Sequence, residues 1–242
     1  MCNSLIQLKN VSFGYKKTEL ILEKINFCLQ KNEKIGLIGP NGSGKTTLVF
    51  LMVGLLLPLE GEIILFGKKC IKEKDFQQIR PKIGFVFQNA DDQLIFPTVL
   101  EDVAFGPLNL GFKPQKALKI AQKTLEKLGI ADLGPRNIFN LSGGEKKLVS
   151  IATVLSMSPQ VLILDEPTTG LDEHSRSKLI EILKKLDIAY IIISHDYDFL
   201  ARITKKQYIL RDKQVIYDPT IVLHKHEHAH PLGYIPHRHE NK

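Results

Sequence analysis

Short apolar segments alternate with longer amphipathic ones along most of this chain. Ile6, Leu8, Val11 and Phe13 keep imperfect alternation and lean toward a strand, as do residues 25–29. Residues 34–39, KIGLIG, form a short apolar strand ending in glycine, and a helix is predicted behind it over 45–56. Strands are predicted over 62–66 and 83–87. An amphipathic helix over 113–128 is closed by Gly129, and another helix runs from about Ser142 to Met157. Residues 161–164 and 189–193 are apolar strands around a helical pattern at 173–186. A closing β pair is predicted at 207–210 and 214–217. This order predicts an α/β fold with a largely parallel sheet.

After Pro219 the pattern changes. Residues 224–239 hold six of the eight histidines, so 219–242 reads as a tail.

Composition narrows the class. The 242 residues are long enough for a sizeable core, and 43% hydrophobic with 24% charged residues is ordinary for a globular chain. The longest apolar run, 48–57, stops at Pro58, far short of the roughly 20 residues a membrane helix needs. The opening MCNSLIQLKN lacks the basic start and apolar stretch of a signal peptide, so a cytosolic product is expected. Cys2, Cys28 and Cys70 form no CxxC pair, which argues against a disulfide framework or a thiolate zinc site. The net charge of +7 is spread along the chain. Clusters at 72–74, 146–147 and 205–206 read as solvated faces, so charge alone selects no partner.

The chemistry enters at residues 39–46, GPNGSGKT, which fit the phosphate-binding pattern G-x-x-x-x-G-K-[ST]. Gly39, Gly42 and Gly44 let the backbone curl so that N–H groups point at phosphate oxygens, and the following helix offers its positive end. Lys45 reaches the terminal phosphates, and Thr46 supplies a hydroxyl to Mg²⁺. Residues 161–166, VLILDE, put Asp165 at the end of a buried strand, where it can hold Mg²⁺ through water. Strand alternation predicts that Asp165 and Glu166 point to opposite sides, one toward the metal and one toward an attacking water. Residues 141–145, LSGGE, read as a helix capped by Ser142.

Taken in order, these motifs, with Tyr15, Gln88, Thr169-Gly-Leu-Asp172 and His195, resemble the ATP-binding cassette (ABC) ATPases over residues 5 to 218. The resemblance implies a mixed, largely parallel core sheet, an N-terminal antiparallel β subdomain and an α-helical subdomain over about 88–158, all within an ATPase domain at 1–218. It also implies the ligand roles. Tyr15 would stack on adenine. Gly39, Pro40, Asn41, Gly42, Ser43, Gly44, Lys45, Thr46 and Thr47 would bind the triphosphate. Thr46, Gln88 and Asp165 would serve Mg²⁺. Glu166 would be the general base and His195 the switch histidine on the γ-phosphate. Ser142, Gly143 and Gly144 would contact ATP held by an opposite subunit, and Asp172 would link the two sites. One cassette therefore implies a homodimer or heterodimer. Glu145 stands where the family usually has glutamine, and its helical position is expected to turn it to solvent.

Residues 84–110 and the LSGGEKK segment resemble more narrowly the ATPases of energy-coupling-factor transporters, especially the cobalt and nickel branch. That implies a peripheral place on the cytoplasmic membrane face, beside a transmembrane coupling component and a substrate-binding membrane component, with no nucleic acid partner. Gln93 would belong to a short helix meeting the membrane component, and Phe85, Phe87, Phe96 and Phe105 would contribute to that groove. Ala90 replaces a common proline. In the tail, His224, His226, His228 and His230 recur at every second residue, followed by His237 and His239. Imidazoles so spaced can share an ion of nickel, cobalt, copper or zinc, and the family resemblance points to Ni²⁺ or Co²⁺. Vitamin uptake by the same machinery, a soluble cassette protein and a metal-storage protein are the alternative readings.

Overall fold

The computed structural model describes residues 4–217. The six tail histidines and Cys2 lie outside the described residues. In chain order the strands and helices are β1 (Ser4–Phe13), β2 (Leu22–Gln30), β3 (Lys34–Ile38), α1 (Lys45–Met52), β4 (Glu60–Leu65), β5 (Lys68–Cys70) and α2 (Glu73–Gln77). There follow β6 (Ile83–Val86), α3 (Val99–Asn109), α4 (Pro114–Lys127), α5 (Gly143–Leu155) and β7 (Val161–Asp165). The last are α6 (Glu173–Lys185), β8 (Ala189–Ile193), α7 (Tyr197–Ile203), β9 (Lys206–Arg211) and β10 (Gln214–Tyr217).

Two sheets result. The antiparallel one has the order β2-β1-β4-β5; the mixed one has the order β10-β9-β3-β8-β7-β6, with only the β10–β9 pair antiparallel. The expected mixed core sheet and N-terminal antiparallel sheet are both present. Every residue of β7 and β8 is buried, so these strands have no solvent face to mark with polar residues. Alternation splits them between two cores: Leu162, Leu164, Tyr190 and Ile192 on one side, Val161, Ile163, Ile191 and Ile193 on the other. Each such Ile or Leu side chain contributes about 1.5–3 kcal/mol by leaving water. Helices α3, α4 and α5 cover the first core.

Register fixes where loops emerge. Leu37 pairs with Ile193, and Ile193 with Asp165, so β3, β7 and β8 end side by side. Loops leaving these adjacent carboxyl ends form a crevice, the usual ligand position in an open α/β sheet.

Several elements differ from the sequence expectation: β5 and α2 were not predicted, and three helices differ for reasons that the structure shows. Helix α1 ends at Met52 rather than Leu56, because Gly54 turns to φ +72° and its N–H closes on the Leu51 carbonyl. Helix α3, which the periodicity did not predict, is started by a capping box between Thr98 and Glu101. Helix α7 is started by Asp196, whose carboxylate accepts from the Phe199 N–H.

Candidate functional site

The loop after β3 leads directly into α1. Gly44, at φ +102°, caps that helix in a conformation costly for any residue with a Cβ. A Cβ on Gly39 would meet the Leu210 carbonyl at 2.4 Å. The loop encloses a cavity of about 540 Å³ with Asn41, Gly42, Gly44, Lys45, Thr46, Thr47, Gln88, Asp165, Glu166 and His195 in its walls. Ile21 and Thr169 complete the walls. Thr169 was visible only as part of a motif, and Ile21 had no sequence signal because it arrives from the distant turn before β2.

Lys45 donates from Nζ to the carbonyls of Gly39 (2.8 Å) and Pro40 (2.9 Å), and lies 3.4 Å from His195 Nε2. Burial lowers its pKa, while Glu166 and Asp165 oppose that shift. The Thr46 hydroxyl donates to Asp165 Oδ2 at 3.2 Å. Burial raises the Asp165 carboxyl pKa above its ordinary value, against the Thr46 hydrogen bond and the nearby lysines.

Asp165 and Glu166 do not point to opposite sides as strand alternation predicts. Glu166 has left β7 with φ +41°, so both acids face one cavity. Glu166 Oε2 accepts from the His195 backbone N–H at 3.3 Å. Its Oε1 lies 3.5 Å from His195 Nε2 and is buried without a hydrogen-bond donor among the described residues. The Ser43 hydroxyl is buried without a partner in the same sense.

The remaining predicted residues lie outside the cavity walls. Tyr15 is 66% exposed and stands edge-on to Phe13, with ring centroids 5.3 Å apart. Ser142 caps α5: its hydroxyl accepts from the Glu145 N–H, and the Glu145 carboxylate accepts from the Ser142 N–H at 2.8 Å. Glu145 is therefore engaged rather than simply turned to solvent, and it also pairs with Arg136 at 2.8 Å. Asp172 caps α6 through Ser175 at 2.8 Å, and a Cβ on Gly144 would collide with the Ser175 side chain. The two capped helix ends thus pack together beside, not within, the cavity.

Lysines 146 and 147 are not the solvated pair that was expected. Lys146 binds Asp91 at 2.7 Å, and Lys147 is 3% exposed. Gln93 closes the one-turn helix at Ala90–Asp92, and its side chain hydrogen-bonds to α5. Phe85 and Phe87 pack at 4.7 Å, and Phe96 and Phe105 at 4.9 Å, as two separate ring pairs.

A curled glycine loop and a lysine at the floor of an open cleft suit an anionic triphosphate. The hydroxyl–carboxylate pair Thr46–Asp165 offers the hard oxygens that Mg²⁺ prefers. The site is that of a phosphate-loop nucleotide-binding protein. A model of the ABC transporter family matches residues 22–169. The energy-coupling factor transporter ATP-binding protein EcfA of Methanothermobacter thermautotrophicus is 41% identical over 220 residues, covering 89% of this chain and 71% of that protein. A protein of Brucella suis named no more finely than ABC transporter ATP-binding protein is 48% identical over 222 residues, covering 92% of this chain and 91% of that protein.

Among solved structures, cbiO1 of Clostridium perfringens, part of the ABC transporter complex cbiONQ, superposes with a TM-score of 0.81 at 34% identity. It covers 88% of this chain and 87% of its own. A dimeric ATP-binding cassette bound to ADP and phosphate gives 0.77 at 29% identity, covering 87% of this chain and 96% of its own. The chain belongs to the ABC transporter family. It is the ATP-binding, ATP-hydrolysing part, which powers transport; such cassettes dimerise and work with transmembrane components. Among the described residues no helix is long and apolar enough to cross a membrane.

Proposed function

We propose that this chain is the ATPase of an energy-coupling-factor importer for cobalt or nickel ions, acting as a dimer on the cytoplasmic membrane face. The observation that carries the ATPase chemistry is the convergence of Lys45, Thr46, Asp165, Glu166 and His195 on one cavity. Supporting the importer type are the EcfA relative, the cbiO1 neighbour and the resemblance of residues 84–110.

In this reading Lys45 gives up its two carbonyls and holds the terminal phosphates. Thr46, Asp165 and Gln88 hold Mg²⁺, which neutralises charge on the phosphate oxygens when bound. Glu166 takes a proton from the attacking water as its oxygen bonds to the γ-phosphorus and the bond to ADP breaks. His195 holds both Glu166 and the γ-phosphate side of the cleft. Tyr15 receives the base, and Ser142, Gly143, Gly144 and Asp172 complete the site of a second subunit.

His224, His226, His228, His230, His237 and His239 give the chain a Ni²⁺- or Co²⁺-binding end near the transporter. The deciding experiment is ATP-driven uptake of radioactive nickel and cobalt in vesicles holding the complete transporter. Uptake of neither metal, with uptake of a vitamin, would transfer the same ATPase to the vitamin reading.

A further inference from the structure

Lys147 is a buried cation that the nucleotide chemistry does not use. It projects from α5, the helix that Ser142 caps, toward the loop after β6. Its Nζ donates to the carbonyls of Phe87 (3.1 Å) and Gln88 (2.5 Å). Its pKa is lowered by burial, with Asp165 as the opposing charge. Burying an ammonium is unfavourable unless its protons are met, and here loop carbonyls meet them.

The same loop is held to the same helix at other points. The Phe87 N–H donates to Gln93 Oε1 at 3.2 Å. The Gln93 amide then donates to the Ser150 carbonyl (2.7 Å) and the Thr153 hydroxyl (2.8 Å), both on α5. Lys146, one residue from Lys147, binds Asp91 beyond the loop. Both backbone polar groups of Phe87 and the carbonyl of Gln88 are therefore spent on side chains that α5 carries or anchors.

We infer that Lys147 is a positioning residue that locks the Gln88 loop to α5, so that Gln88 and the Ser142-capped helix end move as one body. The functional consequence rests on the ATPase reading above. A shift of the loop, whether from the exposed Phe87 side or from the cavity side, is delivered to Ser142 without slack. Conversely, docking of Ser142 against a second subunit sets where Gln88 stands in its own cavity. A lysine suits this task because one ammonium can satisfy two successive carbonyls at once.

The test uses the full chain with Lys147→Met, which keeps the length and loses the donors, and Lys147→Arg, which keeps the charge and donors. Amide hydrogen exchange needs no nucleotide. In Lys147→Met, exchange at the Phe87 N–H should rise roughly tenfold, while the central amides of α5 keep their protection. ATP affinity measured without Mg²⁺ should stay within about twofold, and kcat should fall roughly tenfold with little change in KM. Lys147→Arg should restore both exchange and kcat. Unchanged exchange at Phe87 in Lys147→Met overturns the clamp. So does a kcat equal to the parent's despite a loosened loop, or equal loss in the arginine variant. A parent chain that hydrolyses no ATP would sink the ATPase reading instead, while the exchange data would still decide whether the clamp exists.

Discussion

Lys45 Nζ stands 3.4 Å from His195 Nε2, although the two residues are 150 positions apart in the chain. The approach follows from register: β3 and β8 are paired neighbours, His195 lies just past β8, and Lys45 opens α1 where the loop leaving β3 ends. Nζ already donates to two carbonyls of its own loop. The lysine is thus held in place before any phosphate arrives, and the histidine is placed to meet the same oxygens. Taking up phosphate then requires the ammonium to exchange those carbonyls for phosphate oxygens, with its stem already in place.

Lys45→Met should therefore weaken nucleotide binding more than it changes the fold. It deletes the charge at the phosphates and keeps the methylene stem. We expect ATP affinity to fall by at least about tenfold, the range of a lost charge-assisted hydrogen bond. Calorimetric titration with ATP checks this; parental affinity would remove Lys45 from the phosphate site.

Glu166→Gln should bind ATP and fail to turn it over. An amide matches the carboxylate in shape but cannot take the proton of water, so kcat should fall by about 10²–10⁴. The left-handed backbone at Glu166 is unaltered by this swap. A parental rate of phosphate release would show that another group is the base.

Much of this site was legible because its parts are local. The phosphate loop is one contiguous run, and VLILDE puts a carboxylate at a strand end. What escaped was what depends on backbone departures or distant partners. Strand alternation misplaces Glu166 because φ +41° takes it off the strand. Lys147 looks solvated beside Lys146, and only the carbonyls of Phe87 and Gln88, about 60 residues away, make its burial tolerable. Helix α3 buries one stripe through Val99, Asp102, Val103, Gly106 and Pro107, but three of those positions are an acid, a glycine and a proline, so apolar periodicity does not reveal it.

Mixing inactive chains tests the shared site. Lys45→Ala removes the phosphate lysine, and Ser142→Arg blocks the capped helix end. In a head-to-tail dimer, one mixed pair has one site spared by both changes. ATPase activity should reappear on mixing and stay absent in each variant alone. Mixed dimers that form without recovering activity would count against the head-to-tail arrangement.

Glu145 makes a stability test with a defined sign. Its pKa lies below the ordinary 4.5, chiefly because its carboxylate accepts the Ser142 N–H, with Arg136 adding to the effect. A depressed acid stabilises the fold above its unfolded pKa, and that contribution is lost as pH falls through the lower folded value. Glu145→Ala should lose the reciprocal cap and lower Tm by about 2–4 °C at neutral pH, for a loss near 1 kcal/mol. Glu145→Gln, which keeps an acceptor, should lose less. The gap between parent and Glu145→Ala should narrow as pH drops below 4.5. A gap independent of pH would mean that the charge contributes nothing.

The histidine tail gives the last test. All residues assigned here to ATP lie upstream of Pro219, so removal of 219–242 should leave ATP affinity unchanged. Binding of Ni²⁺ or Co²⁺ to the isolated chain should fall sharply, because six imidazoles go with it. In the full chain that binding should weaken below pH about 6.5, since a protonated imidazole cannot ligate. Titration of each metal into both chains, at neutral and acidic pH, separates the outcomes. Equal affinity and stoichiometry in the shortened chain would locate the metal elsewhere. Transport is a separate measurement: a tail on the cytoplasmic face meets the ions after they have crossed, so the initial rate of uptake should survive its removal. Loss of uptake at every metal concentration would instead tie the tail to the pumping cycle.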